Sequence, residues 1–402
     1  MAQAQAGTTQ ELERLVGWRR DLHRIPEVGF EVAQTLAYVR GQLEAIGGWE
    51  LEEPAPSSLT AFLDRGGSSA VAVRAELDAL PVHEETGEPW ASRHEGRMHA
   101  CGHDAHMAMA LGLAARLSRR ADEVRPGEER RPEDARPEGA RRNVQLVFEP
   151  AEETTGGARD ILASGTLAAH GADRIVGLHM WPGLPAGVVA GRAGAQLASS
   201  NEVDVTFFGK ATHIATASEG ADALEAAAAF LTHIYEIVSG TYETPDGPAA
   251  GEDLARRVLL KFGRLSGGEV RNQIAAQAKA EGSLRTFDEG TRAQLKRLIA
   301  DVAAGCAKGC GCTSETGYST GYPVLVNDAA LFSEASDALD IQPLAEPLLI
   351  SDDFAWYGQE LPGLFLMLGT GRDEPLHAST FCLDERAMAD GVDILETLVD
   401  LP

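Results

Sequence analysis

Short apolar runs that end in potential metal ligands recur along this chain, and the recurrence limits how it can fold. Val144 to Phe148 leads into Glu149-Pro150-Ala151-Glu152-Glu153. Ile175-Val176-Gly177-Leu178 ends at His179, and Leu364 to Leu368 is followed by His377. Ala70 to Leu77 runs into Asp78-Ala79-Leu80-Pro81. Runs of this length and apolarity suit buried strands. In parallel α/β sheets the loops after strand ends collect active-site residues. The pattern therefore predicts several strand C-termini meeting at one edge of a sheet.

The densest stretch is Met98-His99-Ala100-Cys101-Gly102-His103-Asp104-Ala105-His106, with one thiol and three imidazoles. In an extended or tightly turned backbone, residues two apart point the same way. Cys101 and His103 can thus converge on one ion. Gly102 between them permits backbone conformations closed to other residues. His106 either supports the same donor set or caps the helix that follows.

Taken together, Cys101, His103, His179, His377 and one carboxylate of the Glu152-Glu153 pair offer five protein donors. One ion needs three or four, so five donors, one of them bridging, suit two divalent ions. Mixed N, S and O donors favour zinc, with manganese, cobalt and nickel as further candidates. Neighbouring glutamates diverge, so one can bind metal while the other acts as general base.

Helical patterns bracket these motifs. Thr8-Thr9-Gln10-Glu11 reads as a capping box opening a helix that ends near His23. A second helix runs to Ile46 and stops at Gly47-Gly48, and a third covers Ala105 to Leu117. Arg119 to Arg142 is charged, holds three prolines and reads as a solvated insertion. Near Ala195 the pattern changes to strand, helix, strand, strand, helix, an α+β unit. The expected fold is α/β: residues 1–195 and 312–402 form a catalytic domain with a central mixed sheet and flanking helices. Residues 196–311 form an inserted α+β domain.

Thirty-five basic against 61 acidic residues give a net charge of −26. Such a surface repels nucleic acid and anionic membranes, so neither is an expected partner. The N-terminus lacks a secretory pattern and no run is long enough to span a bilayer. Five cysteines argue against a disulfide framework and for a reducing cytoplasm. Cys306, Cys310 and Cys312 read as small residues in a helix-to-strand turn.

In order along the chain, the motifs resemble those of the dinuclear-metal amidohydrolases, which include aminoacylase, hippurate hydrolase, aminobenzoyl-glutamate hydrolase and auxin-amino-acid hydrolase. The matching segments are Arg19 to Glu27, Arg74 to Pro81, His99 to His106, Glu149 to Glu153, Gly177-Leu178-His179, Ser351 to Phe354 and Leu376-His377. The resemblance implies a metallopeptidase-type catalytic domain with a ferredoxin-like lid and dimerisation domain. It implies metal ligation by Cys101, His103, Glu153, His179 and His377, with Glu152 as the base and Asp78 orienting a ligand. Gly209 to His213 resembles the segment whose histidine, often from a partner subunit, stabilises the oxyanion. Arg271 to Ile274 and Ser283 to Thr286 resemble the carboxylate-binding segments, which gives Asn272 and Arg285 that role. The chain departs from the family at Ala217-Ser218, where Pro-His is common, at Ala275 for proline and at Glu76 for aspartate.

The expected activity is metal-dependent cleavage of a small N-acyl amino acid to a carboxylic acid and a free amino acid, in a homodimer joined through the inserted domain. A hinge closing over the substrate would exclude water. The rival readings are a metallo-dipeptidase or carboxypeptidase on the same scaffold, and a metal-binding homologue without catalysis.

Overall fold

The computed structural model describes residues 2–123, 141–239, 243–244, 247–248 and 258–402. The chain divides into two compact units: Met1–Gly194, Val326–Ala345 and Asp353–Pro402 in the first, Ala195–Leu325 and Glu346–Asp352 in the second.

An eight-stranded mixed sheet forms the centre of the first unit. Its early strands are β1 (Glu50–Glu52), β2 (Leu59–Leu63), β3 (Ala70–Glu76), β4 (Asn143–Glu149) and β5 (Ala172–Trp181). The spatial order is β1, β2, β4, β3, β5, Gly363–Gly369, Val189–Gly191, Ile341–Pro343. β3 runs parallel to both β4 and β5, and β5 runs parallel to Gly363–Gly369. Four adjacent strands therefore end at the same edge. Every residue of β3, β4 and Gly363–Gly369 is buried. That is why their sequences are continuous apolar runs rather than alternating ones.

Helix α3 (His103–Glu123) lies on the sheet, and helices α1 (Ala2–His23) and α2 (Ala33–Ile46) pack against α3. α3 touches β3, α1, α2 and the C-terminal helix Ala387–Val399. Its Ala, Leu and Met side chains from Ala105 to Leu113 are buried. Gly112 allows close approach, because a Cβ there would lie 2.7 Å from both Leu15 and Val392.

The structure departs from the sequence reading in several places. α1 begins at Ala2, ahead of the expected capping box, since alanine and glutamine carry the helix backwards. β1, Val189–Gly191 and Ile341–Pro343 are three residues each, too short to show a period. Residues 124–140 of the charged segment lie outside the described residues, and α3 continues to Glu123.

The second unit holds a four-stranded antiparallel sheet in the order Val258–Gly267, Gln277–Thr286, Ser199–Phe208, Thr313–Tyr318. Helices Ala223–Ser239 and Glu289–Gly309 pack on each other and on the sheet. The succession βαββαβ with this order is ferredoxin-like. The unit extends past residue 311, the end expected from the sequence, because Thr313–Tyr318 pairs with Ser199–Phe208. Its sequence Thr-Ser-Glu-Thr-Gly-Tyr is too polar to announce a strand.

Helix Glu289–Gly309 stops where Cys312 donates its N–H to Ala307 O at 2.8 Å and Gly311 takes φ +69°. That is a Schellman closure. Cys306 and Cys310 flank this stop, and His233 Nδ1 lies 3.4 Å from Cys306 Sγ. Among the described residues, no helix is long and apolar enough to cross a membrane.

Leu111 is fully buried in α3. Leu111→Ala is expected to lower the unfolding free energy of the first unit by about 2–5 kcal/mol, read by urea denaturation.

Candidate metal centre

The edge where the four parallel strands end gathers six of the side chains expected there. Glu152 and Glu153 follow β4, His179 lies two residues before the end of β5, and His377 follows Gly363–Gly369. His103 opens α3 and Cys101 lies two residues ahead of it. Asp78 follows β3 and is buried. Its Oδ1 accepts the main-chain N–H of Glu152 at 3.1 Å and its Oδ2 that of Glu153 at 3.2 Å. Ala151 at φ +64° turns the chain so that both amides face this carboxylate.

Cys101 Sγ lies 3.5 Å from His179 Nε2. His103 donates Nδ1–H to the carbonyl of Asp78 at 2.8 Å, so its Nε2 keeps a lone pair. That Nε2 lies 3.9 Å from both Glu152 Oε2 and Glu153 Oε1. His179 likewise donates Nδ1–H to Met180 O at 2.8 Å. His377, at φ +67°, donates its N–H to Ala100 O at 2.8 Å, and its Nε2 stands 3.2 Å from Glu153 Oε1. Three overlapping sets each bring one donor atom per residue within 4.8 Å: Cys101-His103-His179, Cys101-Glu153-His377 and His103-Glu152-Glu153.

The electrostatics describe a cluster short of positive charge. Burial pushes the Cys101 thiol well above its usual range, and Glu153 and Glu152 push it further. Burial and Glu153 raise Asp78 in the same way. Burial drives His179 down to about 3 and also lowers His103, so both imidazoles are neutral. Burial would raise Glu153, but His377 and His103 outweigh it and hold the carboxyl at about 2.

A divalent cation fits this donor set. His103 Nε2 and Glu153 Oε1 are buried and make no hydrogen bond among the described residues. Lone pairs of nitrogen and oxygen therefore converge beside the Cys101 sulfur, with His377 Nε2 at 3.2 Å from Glu153 Oε1. Such groups are costly to bury unless a cation or donor meets them.

A second buried network, which the sequence reading missed, stands behind α3. Asp104 Oδ2 lies 2.7 Å from both Arg19 Nε and His23 Nδ1. His23 Nε2 is 3.2 Å from Glu84 Oε1. Burial and Arg19 push the His23 imidazolium down, but Asp104 and Glu84 outweigh them and its pKa is raised above 6.5. Nothing local in His83-Glu84-Glu85 signals this partnership, because it joins segments 61 residues apart. Arg74 was likewise read only as part of a motif. It is buried between Glu149 Oε2 at 3.0 Å and Asp353 Oδ1 at 2.7 Å.

The three remaining candidates lie in the second unit. His213 Nδ1 accepts the Ala215 N–H at 3.2 Å, and Ile214 N donates to Asn272 O at 3.0 Å. His213 and Asn272 are thus brought together. Arg285 is near the far end of Gln277–Thr286, opposite Ser200, and donates Nη1–H to Leu349 O at 2.6 Å. Burial lowers its pKa.

Comparison with known proteins bears on this geometry. The model of peptidase family M20/M25/M40 matches residues 72–401. An N-acetylcysteine deacetylase of Bacillus subtilis is 32% identical over 381 residues, covering 93% of each chain. An N-acetyldiaminopimelate deacetylase of Limosilactobacillus fermentum is 34% identical over 403 residues, covering 96% of this chain and 97% of its own. Among solved structures, a dinuclear metal binding M20 peptidase of Bacillus subtilis superposes with a TM-score of 0.81 at 29% identity, covering 98% of both chains.

Two outcomes follow from the packing and the charges. Gly102 has φ +89°, and a Cβ there would lie 3.0 Å from Met180 Cβ. Gly102→Ala is expected to cost about 1–3 kcal/mol of stability, measured by chemical denaturation. The raised His23 pKa means that its contribution is complete below 6.5 and is lost as pH rises through the folded value. The stability gap between wild type and His23→Gln should therefore narrow as pH rises above about 6.5, in urea titrations at each pH.

Proposed function

The chain belongs to peptidase family M20/M25/M40 and is a metal-dependent hydrolase of amide bonds, and from that premise we propose that it cleaves N-acyl amino acids to a carboxylic acid and a free amino acid. The observation that carries the reading is the meeting of Cys101, His103, Glu153, His179 and His377 beside a sixth group, Glu152. In this reading the five hold two divalent ions, and zinc or manganese suits the donors best. The deacetylases among its relatives support an acylated amino acid as substrate.

When bound, the ions polarise the scissile carbonyl and make the attacking water more acidic. Glu152 is the general base: it takes the proton of that water and passes it to the departing amine. Asp78 holds the Glu152 amide, which sets where the carboxylate starts. His213 donates a hydrogen bond to the oxyanion. Arg285 grips the substrate carboxylate through its fork of donors, and Asn272 adds an amide donor.

A homodimer is part of the reading. His213 and Asn272 lie off the start of strand Gln277–Thr286, whereas Arg285 lies near its end. The eight residue-to-residue steps from Gln277 to Arg285 span about 26 Å at ~3.3 Å each. One small substrate cannot touch both places on one copy, so His213 and Asn272 would come from the second copy. Leu265, on edge strand Val258–Gly267, and Val270, in the loop after it, are exposed, which suits pairing between copies. Light scattering should find a dimer, and mixed dimers of His213→Ala and Arg285→Ala should regain part of the activity each variant lacks. A fully active monomer would refute this arrangement.

The substrate assignment is tested with metal-free protein reloaded with zinc, manganese, cobalt or nickel. N-acetyl, N-benzoyl and aminobenzoyl amino acids are compared with short dipeptides. Turnover of dipeptides alone would favour the peptidase reading. Glu152→Gln should lower kcat by about 100- to 10,000-fold while metal content, measured by elemental analysis, is unchanged. A variant as active as wild type would remove Glu152 from the chemistry.

A further inference from the structure

His106 lies one turn beyond His103 on α3 and is buried. Its Nε2 accepts the main-chain N–H of Met180 at 2.8 Å. A backbone amide can only donate, so the His106 proton must sit on Nδ1. That Nδ1 is 2.8 Å from Glu76 Oε2, a carboxylate oxygen able to accept it. Both ring nitrogens are therefore occupied. Glu76, His103 and His106 each bring a donor atom within 4.8 Å of the others, yet His106 has no lone pair left for an ion.

Glu76 is itself fixed. Its Oε1 pairs with Arg74, which reaches Glu149 and Asp353 through its other nitrogens. All four of these charged residues are buried. Burial would raise the Glu76 carboxyl, but Arg74 and His106 bring it well below its usual range. An ionised Glu76 accepts and cannot donate, so it enforces the same tautomer from the other side.

The amide that His106 receives is the one directly after His179. Met180 also accepts His179 Nδ1–H through its carbonyl. The His106 ring meets the His179 ring edge-on at 4.7 Å between centroids, and the His103 ring at 5.5 Å. From this geometry we infer that His106 is a positioning residue, locked by Arg74 and Glu76 as the Nδ1–H tautomer, that aims His179 and braces His103. This rests on the reading of His179 and His103 as metal ligands.

The experiment has two arms on the full-length chain. Long-range proton–nitrogen correlation spectra of the metal-free wild type report the tautomer, with the His106 signals assigned by their loss in His106→Gln. The expected pattern is a protonated Nδ1 and an acceptor Nε2, and the opposite tautomer overturns the inference. In the second arm cobalt is titrated in while its visible bands are followed. His106→Leu should weaken cobalt binding by about 10- to 100-fold. His106→Gln, whose amide can accept from Met180 and donate to Glu76, should recover part of that loss. Leucine and glutamine variants that bind like wild type, or that fall equally, overturn the positioning role. His179→Ala separates this from the underlying reading: if its binding matches wild type, His179 is no ligand and both statements fall.

Discussion

Asp78 decides where Glu152 and Glu153 stand. One buried residue accepts the amides of Glu152 and Glu153 through its side chain and the Nδ1–H of His103 through its carbonyl. It can hold both amides well only while ionised, yet burial and Glu153 push it toward the neutral form. Positive charge in the donor cluster favours the ionised state. The scaffold and its cation thus support each other. A cation held in this cluster would favour the ionised Asp78 that accepts the Glu152 amide.

Behind that cluster the strand ends are held by ion pairs rather than by apolar packing alone. Arg74 on β3 links Glu149 on β4 to Asp353 in the segment before Gly363–Gly369. Breaking one partner in such a buried set leaves an uncompensated charge, which costs more than the pair gains. The arrangement is rigid for that reason, and rigidity at the strand ends is what a site built from four strands needs.

The strands that end at the cluster were legible because they are buried on both faces and so read as unbroken apolar runs. β2 and β4 fall within one residue of the runs seen in the sequence. The long helices were legible from their period. What lay hidden was of two kinds. Three-residue strands such as Ile341–Pro343 carry no pattern. Polar Thr313–Tyr318 is a strand only because Ser199–Phe208 offers it a partner. Partnerships across sequence distance were equally silent. His106 could not be assigned from its neighbours, because the groups that settle its tautomer are Glu76 and the amide of Met180. Glu84 was invisible until His23 stood beside it.

His377 sits in a left-handed turn, clasped to Ala100 by one main-chain hydrogen bond, and half of its side chain faces solvent. It lies 276 residues after Cys101, so the cluster spans most of the polypeptide. During synthesis the sheet can form its first strand pairs long before this histidine leaves the ribosome. The nascent chain therefore carries an incomplete donor set through most of its translation. The full set of donor atoms comes together only when the last stretch folds back onto Ala100 and Glu153.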